Sequence, residues 1–299
     1  MANAIETVGL TKFYGDAPGI IDLDLQVTVG EVYGFIGPNG AGKSTTLRVL
    51  LNFLHPTRGT GQILGLDIAN DTLEIRRRVG YLPGDLVLYP SMTGGEFLLY
   101  FANLRRLDTT ARVGELAERF ELDLNRPIKQ YSTGNRQKVG LINAFMHEPE
   151  LLILDEPTSG LDPLMQQEFQ ELVRETRDSG RTMFLSSHIL PEVDRVADRV
   201  GIVRQSRLIA VDTLEAFKAK SASTISIEFS EPVSAASFEA IEGVQRAESG
   251  NGGTLVRLTV TGSLDPIVKL AATHQVVSIS TDQGDLDDIF LSYYAGDDD

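Results

Sequence analysis

The sequence predicts an α/β core with an antiparallel β subdomain and a helical subdomain, followed by a small C-terminal α+β domain. Three observations predict this class. Short apolar segments typical of buried parallel strands alternate with helical patterns, an early segment alternates polar and apolar residues, and the pattern changes after residue 220. We therefore expect one domain at 1–220, with its helical subdomain at about 86–150, and a second domain at 221–299.

The composition is that of a globular protein. Of its 299 residues, 42% are hydrophobic and 23% are charged, which suffices for one large domain and a smaller one. No apolar run reaches the ~18 residues that a membrane-spanning helix needs, so we do not expect the chain to cross a membrane itself. The absence of cysteine excludes disulfides, iron–sulfur clusters and thiolate zinc sites.

Negative charge restricts the classes of partner. The formal net charge is −15, and residues 221–299 hold 13 acidic but only 3 basic residues. Nucleic acids and bare anionic lipids are bound through positive surfaces that displace counterions. We therefore expect no nucleic-acid partner and no direct binding to lipid.

The core elements follow in chain order. Asp22–Val29 alternates polar and apolar residues, which predicts a strand of an antiparallel sheet with one wet face. Glu31–Ile36 is a more continuous apolar run, and a glycine-rich turn leads from it into leucines at helical spacing. Residues 86–150 are predicted to be mostly helical, and two short apolar strands follow at Leu151–Leu154 and Thr182–Ser186. Breaks in the helical region are expected at Pro90, Gly94–Gly95 and Pro127.

The C-terminal domain is predicted to have the β-α-β-β-α-β order of a ferredoxin-like unit, with a closing helix after it. Its predicted strands are Thr224–Phe229, Val244–Glu248, Thr254–Val260 and Val276–Ser280, and its predicted helices are Ser234–Ile241, Asp265–Ala272 and Leu286–Tyr294.

A phosphate-binding pattern lies between the first buried strand and the first helix. The pattern G-x-x-x-x-G-K-[ST] is matched by Gly37, Pro38, Asn39, Gly40, Ala41, Gly42, Lys43 and Ser44. Glycines let backbone N–H groups turn toward phosphate oxygens, Lys43 neutralises the terminal phosphates, and Ser44 supplies a hydroxyl oxygen to Mg²⁺. A purely structural glycine turn is the alternative, but the strand–loop–helix setting favours a P-loop NTPase core.

The other half of the site is expected at the end of a buried strand, because ligands of α/β sheets bind at the carboxyl ends of the strands. Leu151–Leu154 ends in Asp155 and Glu156. Asp155 is placed to hold Mg²⁺ through a water molecule, and Glu156 to polarise the water that attacks the γ-phosphorus. Taken alone, such a pair is more often a helix cap or a solvated turn. The phosphate loop makes the catalytic role the better interpretation.

Residues 1–220 resemble the nucleotide-binding subunit of an ATP-binding cassette (ABC) transporter. Beyond the phosphate loop and Leu151–Pro157, the resemblance rests on three further segments and on His188, all in the family's order and spacing. These segments are Lys12–Gly15, Tyr131–Asn135 and Ser159–Asp162. The resemblance implies that Tyr14 stacks on adenine, that Thr45 joins the phosphate loop in binding the nucleotide, and that His188 contacts the γ-phosphate.

The resemblance also implies a dimer. In the family, the segment at Tyr131–Asn135, called the signature, faces the ATP bound by a second copy, so two ATP molecules lie between two cassettes. Ser132, Gly134 and Asn135 are then nucleotide-binding residues, and Asp162 lies at the seam between the copies. Without a second copy, Ser132 is interpreted simply as a helix N-cap.

Three positions depart from the family pattern. The family usually has glycine at Thr133 and glutamine at Asn135, and its metal-contacting glutamine falls at or beside Gly84. Because glycine carries no ligand, we hypothesise that Asp85, a hard oxygen donor one position on, takes part of that role. An ordinary turn residue is the equally good alternative for Asp85.

The resemblance implies an ATPase that uses ATP and Mg²⁺, acts as a homodimer and powers export through a separate transmembrane permease. The chain would then lie on the cytoplasmic side of the membrane and be attached only through the permease, whose groove falls within Leu86–Met92 and Phe97–Phe101. Leu286–Phe290 also resembles the closing segment of drug-exporter cassettes. Two alternatives stay open: a nucleotide-sensing module with little or no ATPase activity, and an ABC ATPase that acts on a partner outside the membrane.

Overall fold

The computed structural model describes residues 2–220 and 223–282. The chain divides into two compact units, the first ending at Val211 and the second beginning at Asp212. The boundary predicted at residue 220 lies after the helix Leu214–Lys220, which belongs to the second unit.

The first unit combines two sheets with helices. Its strands are β1 (Asn3–Tyr14), β2 (Ala17–Thr28), β3 (Val32–Ile36), β4 (Arg58–Ile63), β5 (Leu66–Asp67), β6 (Val79–Leu82), β7 (Leu151–Asp155), β8 (Thr182–Ser187), β9 (Arg199–Arg204) and β10 (Arg207–Thr213), which ends just past the division. Its helices are α1 (Lys43–Leu50), α2 (Thr72–Arg78), α3 (Gly94–Arg105), α4 (Thr110–Arg119), α5 (Thr133–Phe145), α6 (Pro163–Asp178) and α7 (Leu190–Asp194).

The central sheet has the strand order β10-β9-β3-β8-β7-β6. Strand β3 runs parallel to both β8 and β9, and β7 runs parallel to both β6 and β8. Every residue of β3, β7 and β8 is buried, which confirms the predicted parallel strands covered on both faces. The register pairs Ile36 with Ser187 and Asp155 with Ser186. The loops that follow these strands therefore meet at one edge of the sheet.

The antiparallel sheet has the order β2-β1-β4-β5. The prediction for β2 is confirmed, since Leu23, Leu25 and Val27 are buried while the residues between them are exposed. The inward residues of this sheet join the central sheet in one hydrophobic cluster, in which the Phe35 and Phe184 ring centroids lie 5.2 Å apart. This shared core fixes the antiparallel sheet against the strand that precedes the phosphate loop.

The region 86–150 forms the three helices α3, α4 and α5 and a short 3₁₀ turn, which confirms the prediction that it is mostly helical. The predicted break at Gly94–Gly95 is the start of α3. Thr93 caps this helix by accepting from the N–H of Glu96, whose carboxylate accepts from the N–H of Thr93 in return. Pro127 precedes the 3₁₀ turn Ile128–Gln130 and so separates α4 from α5.

The second unit begins with α8 (Leu214–Lys220) and contains one antiparallel sheet. The strands are β11 (Ser223–Phe229), β12 (Val244–Gly250), β13 (Leu255–Val260) and β14 (Val276–Asp282), and the helices between them are α9 (Ala236–Glu239) and α10 (Asp265–Ala271). The strand order β12-β13-β11-β14 places β13 between two strands joined through α9, which is the predicted ferredoxin-like arrangement. Helix α9 is shorter than predicted, and the predicted helix Leu286–Tyr294 lies outside the described residues.

Within the described ranges, none of the helices combines the length and the apolar character that a membrane crossing requires.

Candidate active site

The glycine-rich loop joins β3 to α1 and needs glycine for two reasons. Gly40 and Gly42 have φ values of 82° and 106°, in the left-handed region that glycine adopts without strain. Space also excludes a side chain at position 42, because a Cβ there would lie 2.2 Å from the carbonyl oxygen of Gly19. The loop ends at the N-terminus of α1, where a helix favours anions.

Lys43, the first residue of α1, points its ammonium group back into the loop. Its Nζ donates to the carbonyl oxygens of Gly37 at 2.7 Å and Pro38 at 3.3 Å, and it lies 3.4 Å from Oε1 of Glu156. Only 6% of the lysine side chain is exposed. A buried cation held by weak carbonyl acceptors is poised to bind a stronger anion such as a phosphate.

Asp155 ends β7 and is fully buried. Its Oδ1 accepts a hydrogen bond of 2.5 Å from the hydroxyl of Ser186, which is opposite it on β8. The β7–β8 register therefore fixes the orientation of this carboxylate.

Glu156 lies where the chain turns away from the sheet. Its φ of 49° is unusual for a residue with a side chain. Its Oε2 accepts a hydrogen bond of 2.8 Å from Nδ1 of His188, and its Oε1 faces Lys43. The lysine, the glutamate and the histidine thus form a continuous chain of polar contacts.

Lys43, Asp155 and Glu156 line one cleft of about 450 Å³ at the carboxyl edge of the central sheet. The residues that line it are Tyr14, Pro18, Gly19, Asn39, Gly40, Gly42, Lys43, Ser44, Thr45, Gly84, Asp85, Asp155, Glu156 and Ser159. Of the other predicted nucleotide-site residues, Gly37 and Pro38 accept from Lys43, Ala41 donates its N–H to the carbonyl of Pro38, and His188 contacts Glu156.

Tyr14 forms an aromatic side of the cleft. Its ring is 47% exposed, and its hydroxyl shares a hydrogen bond of 3.3 Å with that of Thr45. The ammonium of Lys12 lies 5.7 Å from the ring centroid. A half-exposed ring fixed at its hydroxyl end offers a flat surface on which a planar base can stack.

The predicted signature residues lie away from the cleft of their own chain. Ser132 is the N-cap of α5 and accepts from the N–H of Asn135. Asp162 caps α6 by accepting from the N–H groups of Leu164 and Met165. Gly134 packs against the loop before α6, since a Cβ there would be 2.6 Å from the carbonyl oxygen of Gly160. Within one chain these residues cap and pack helices.

The comparisons with known proteins agree with this geometry. A family model described as "ABC transporter" matches residues 20–159. The chain is 31% identical to the bacitracin transport ATP-binding protein BcrA of Bacillus licheniformis, covering 99% of each chain.

The chain belongs to the ABC transporter family. It is also 34% identical to the daunorubicin/doxorubicin resistance ATP-binding protein DrrA of Streptomyces peucetius, covering 97% of this chain and 92% of that protein. A solved ATP-binding subunit of an ABC transporter is 34% identical, with a TM-score of 0.68 over 72% of this chain and 92% of that one. As an ABC ATPase, the protein binds ATP with Mg²⁺.

The donor set of this ABC ATPase fits a magnesium ion shared with a nucleotide. The hydroxyl of Ser44 and the carboxylate of Asp155 both line the cleft, and both are hard oxygen donors. The described residues include no cluster of three or more acidic, histidine or cysteine side chains that would form an all-protein metal site. Two protein oxygens, completed by phosphate and water, are what Mg²⁺ accepts.

Gly84 brings the backbone directly against the Asp155 carboxylate. A Cβ at position 84 would lie only 2.9 Å from Oδ2 of Asp155, so any side chain there displaces one of the two. The close approach to Asp155 gives a packing reason for glycine at position 84. This close approach depends on the strand order, which the sequence alone does not give.

Asp85 lies on the wall of the cleft but points outward. Its side chain is 90% exposed, and its Oδ2 accepts from Arg48 at 3.0 Å. Next to it, burial and the nearby Asp155 carboxylate raise the pKa of Tyr81 to about 12, so its hydroxyl stays neutral. In this arrangement Asp85 pairs with an arginine of α1 and is not turned toward Ser44 and Asp155.

Several residues that shape the site carried no recognisable signal in the sequence. Ser186 orients Asp155, and the side chain of Gln137 donates to the backbone carbonyls of Glu156 and Pro157. Gly19 comes from β2 and meets Gly42. Each of these contacts joins segments that are far apart in the chain.

We expect Gly84→Ala to raise the Mg²⁺ concentration that gives half-maximal ATP hydrolysis by several fold, because the added Cβ displaces the Asp155 carboxylate. The measurement is ATPase rate against Mg²⁺ concentration for the purified full chain. Gly114→Ala is the control, since a Cβ at that position meets nothing within 4 Å. An unchanged Mg²⁺ dependence in Gly84→Ala would show that the close approach does not constrain the carboxylate.

Proposed function

We propose that this ABC ATPase hydrolyses ATP between two copies of itself and so powers export through a separate transmembrane permease, on the cytoplasmic side of the membrane. The observation that carries the proposal is the convergence of Lys43, Asp155 and Glu156 on one cleft, with His188 bonded to the glutamate. A P-loop lysine, an aspartate for the metal and a carboxylate that can polarise water are groups that γ-phosphate transfer to water uses.

The roles follow from the contacts. Lys43 exchanges its carbonyl acceptors for the phosphate oxygens of ATP, and His188 stands beside the γ-phosphate. Ser44 and Asp155 would hold Mg²⁺, which supplies positive charge beside the phosphates. Glu156 accepts the proton of the attacking water, and its bond to His188 keeps the carboxylate turned toward the cleft. Tyr14 stacks on the adenine.

A second copy completes the site. The helix α5 has 13 residues, and its N-terminal cap carries an exposed Ser132, which has no part in the cleft of its own chain. Helix N-termini favour anions, so this end of α5 suits the γ-phosphate held by a partner. Gly134, Asn135 and Asp162 lie at the same seam. Such an interface is two-fold symmetric and closes when ATP is bound.

Apolar side chains around α3 suit a permease contact. Val87, Tyr89 and Tyr100 are 83%, 48% and 41% exposed, and Tyr89 and Tyr100 stack edge to face with centroids 6.2 Å apart. Exposed aromatic and aliphatic groups of this kind mark protein interaction sites. The names of BcrA and DrrA refer to bacitracin transport and to daunorubicin and doxorubicin resistance, and we infer a drug-like cargo for this chain too.

Phosphate release and copurification test the proposal together. The full-length chain is expressed with an affinity tag in its source cells, and the proteins that coelute from solubilised membranes are identified. We expect an integral membrane protein and ATP-dependent phosphate release by the complex. ATP binding without phosphate release would favour a nucleotide sensor, and a ribosomal or DNA-bound partner would contradict the permease assignment.

We propose that Asp85 takes over part of the role of the missing glutamine by leaving Arg48 when nucleotide binds. We expect Asp85→Ala to raise the Mg²⁺ requirement of ATP hydrolysis by several fold and to weaken stimulation by the membrane partner. Exposed Asp178, which pairs with Arg177 far from the cleft, gives the control Asp178→Ala. Unchanged Mg²⁺ dependence and stimulation in Asp85→Ala would leave Asp85 as a turn residue.

A further inference from the structure

The backbone of Glu156 needs external support. With a φ of 49° it lies in the left-handed region, which costs a residue with a side chain about 1 kcal/mol or more. Such a conformation persists only where neighbouring groups fix it. The orientation of the carboxylate depends on this backbone, because the side chain starts from a turn and not from a strand.

The two sides of this turn are held by two different elements. On one side, the N–H of Glu156 donates to the carbonyl and the hydroxyl of Ser186 on β8, both at 3.2 Å. On the other, Nε2 of Gln137 on α5 donates to the carbonyl of Glu156 at 3.2 Å and to that of Pro157 at 3.0 Å. The glutamate is therefore clamped between the sheet and the signature helix.

The chemistry of Gln137 suits this task. Its side chain is 8% exposed, and the NH₂ of a carboxamide offers two donors that can serve two consecutive carbonyls. A glutamate of the same shape has no such donors when ionised. A methionine fills the same volume without any donor. Replacing Gln137 with methionine therefore removes the hydrogen bonds and keeps the packed volume.

The same helix carries the signature at its N-terminus. Ser132 caps α5 five residues before Gln137, and Gly134 packs against Gly160 in the loop that follows Glu156. Helix α5 therefore touches the segment after the catalytic glutamate at two places one turn apart. The contacts of Gly134 and Gln137 are coupled, because both residues belong to one rigid helix.

We propose that Gln137 is a positioning residue for Glu156, and that α5 thereby links the signature of a chain to the catalytic carboxylate of the same chain. The proposal rests on the role of Glu156 in the proposed function. Gln137 itself touches neither ATP nor the attacking water. It fixes the turn from which Glu156 reaches the water, whereas the signature residues act on the nucleotide of the partner copy.

Steady-state kinetics of the full-length chain test this role. We expect Gln137→Met to lower kcat about tenfold with KM for ATP within about twofold, since a misplaced base slows chemistry and leaves ground-state binding intact. Gln137→Glu should lower kcat further, because its carboxylate faces two carbonyl oxygens. Gln170→Met is the control, a glutamine of α6 that is equally buried and does not line the cleft.

A second measurement separates positioning from a signature defect. In the Glu156→Gln background, the ATP-bound dimer is followed by light scattering with and without Gln137→Met. We expect the dimer to survive, because Gln137 acts on hydrolysis and not on closure. Loss of the dimer, a rise in KM, or a kcat equal to that of Gln170→Met would overturn the proposal.

The result for Glu156→Gln keeps the two hypotheses apart. If Glu156→Gln turns over ATP like the wild type, the proposed function of the site fails. If Glu156→Gln is impaired but Gln137→Met has wild-type kcat, only the role of Gln137 fails. Thermal unfolding of both Gln137 variants identifies a folding defect, and Gln137→Met, with its matched volume, decides the outcome if Gln137→Glu does not fold.

Discussion

Replacing Glu156 with glutamine is expected to lower ATP turnover by about 10²–10⁴-fold while ATP binding is retained. Glutamine keeps the volume of the side chain and its contact with His188, but it cannot accept the proton of the attacking water. The ammonium of Lys43 and the phosphate loop, which bind the nucleotide, are unchanged. The measurement is phosphate release under saturating Mg-ATP, with binding followed by a fluorescent ATP analogue.

Glu171→Gln is the matched control for this variant. Glu171 lies exposed on α6 and does not line the cleft, so the same loss of charge should leave turnover unchanged. Normal turnover in Glu156→Gln, measured in the presence of the membrane partner, would contradict the assignment of the base. Equal losses in both variants would point to an effect of net charge.

Lys43→Ala is expected to weaken ATP binding at least about 100-fold, or about 2.8 kcal/mol. The ammonium group of Lys43 lies at the base of the loop, 3.4 Å from the Glu156 carboxylate. Its removal leaves that carboxylate and the carbonyl oxygens of Gly37 and Pro38 facing the phosphates. Those oxygens repel an anion once the lysine is gone. Titration calorimetry with Mg-ATP measures the change.

The control for the lysine is Lys269→Ala in the second unit. Lys269 is exposed and, among the residues that the structure describes, pairs with Asp265 on its own helix, so the same loss of charge should not alter ATP binding. An affinity of Lys43→Ala within about twofold of the wild type would show that the phosphates bind elsewhere. Retained folding of both variants is checked by thermal unfolding.

Local patterns were enough to predict the elements that carry the chemistry. The alternation of β2, the continuous apolar runs of β3, β7 and β8, and the glycine spacing before Lys43 each depend on residues close in sequence. Because ligands of α/β sheets bind at the carboxyl ends of the strands, those patterns also placed Asp155 and Glu156 beside the phosphate loop, whereas His188 was assigned through the resemblance to the family.

Contacts between distant segments could not be predicted. The strands β1, β4, β5, β6, β9 and β10 were not predicted. Strand β6, for example, is only four residues long and follows a helix that ends in three arginines. The hydrogen bonds of Ser186 and Gln137 depend on strand order and helix packing, which no local pattern encodes. The same holds for the packing of Gly84 against Asp155.

The molecular mass of Glu156→Gln in solution shows whether two copies of the chain join around ATP. Light scattering on the purified variant compares Mg-ATP with Mg-ADP. The expected mass is twice the 32.7 kDa of one chain in Mg-ATP and 32.7 kDa in Mg-ADP, because the γ-phosphate joins the cleft of one copy to the signature of the other. A mass of 32.7 kDa with both nucleotides, at ATP concentrations that saturate binding, would contradict hydrolysis between two copies.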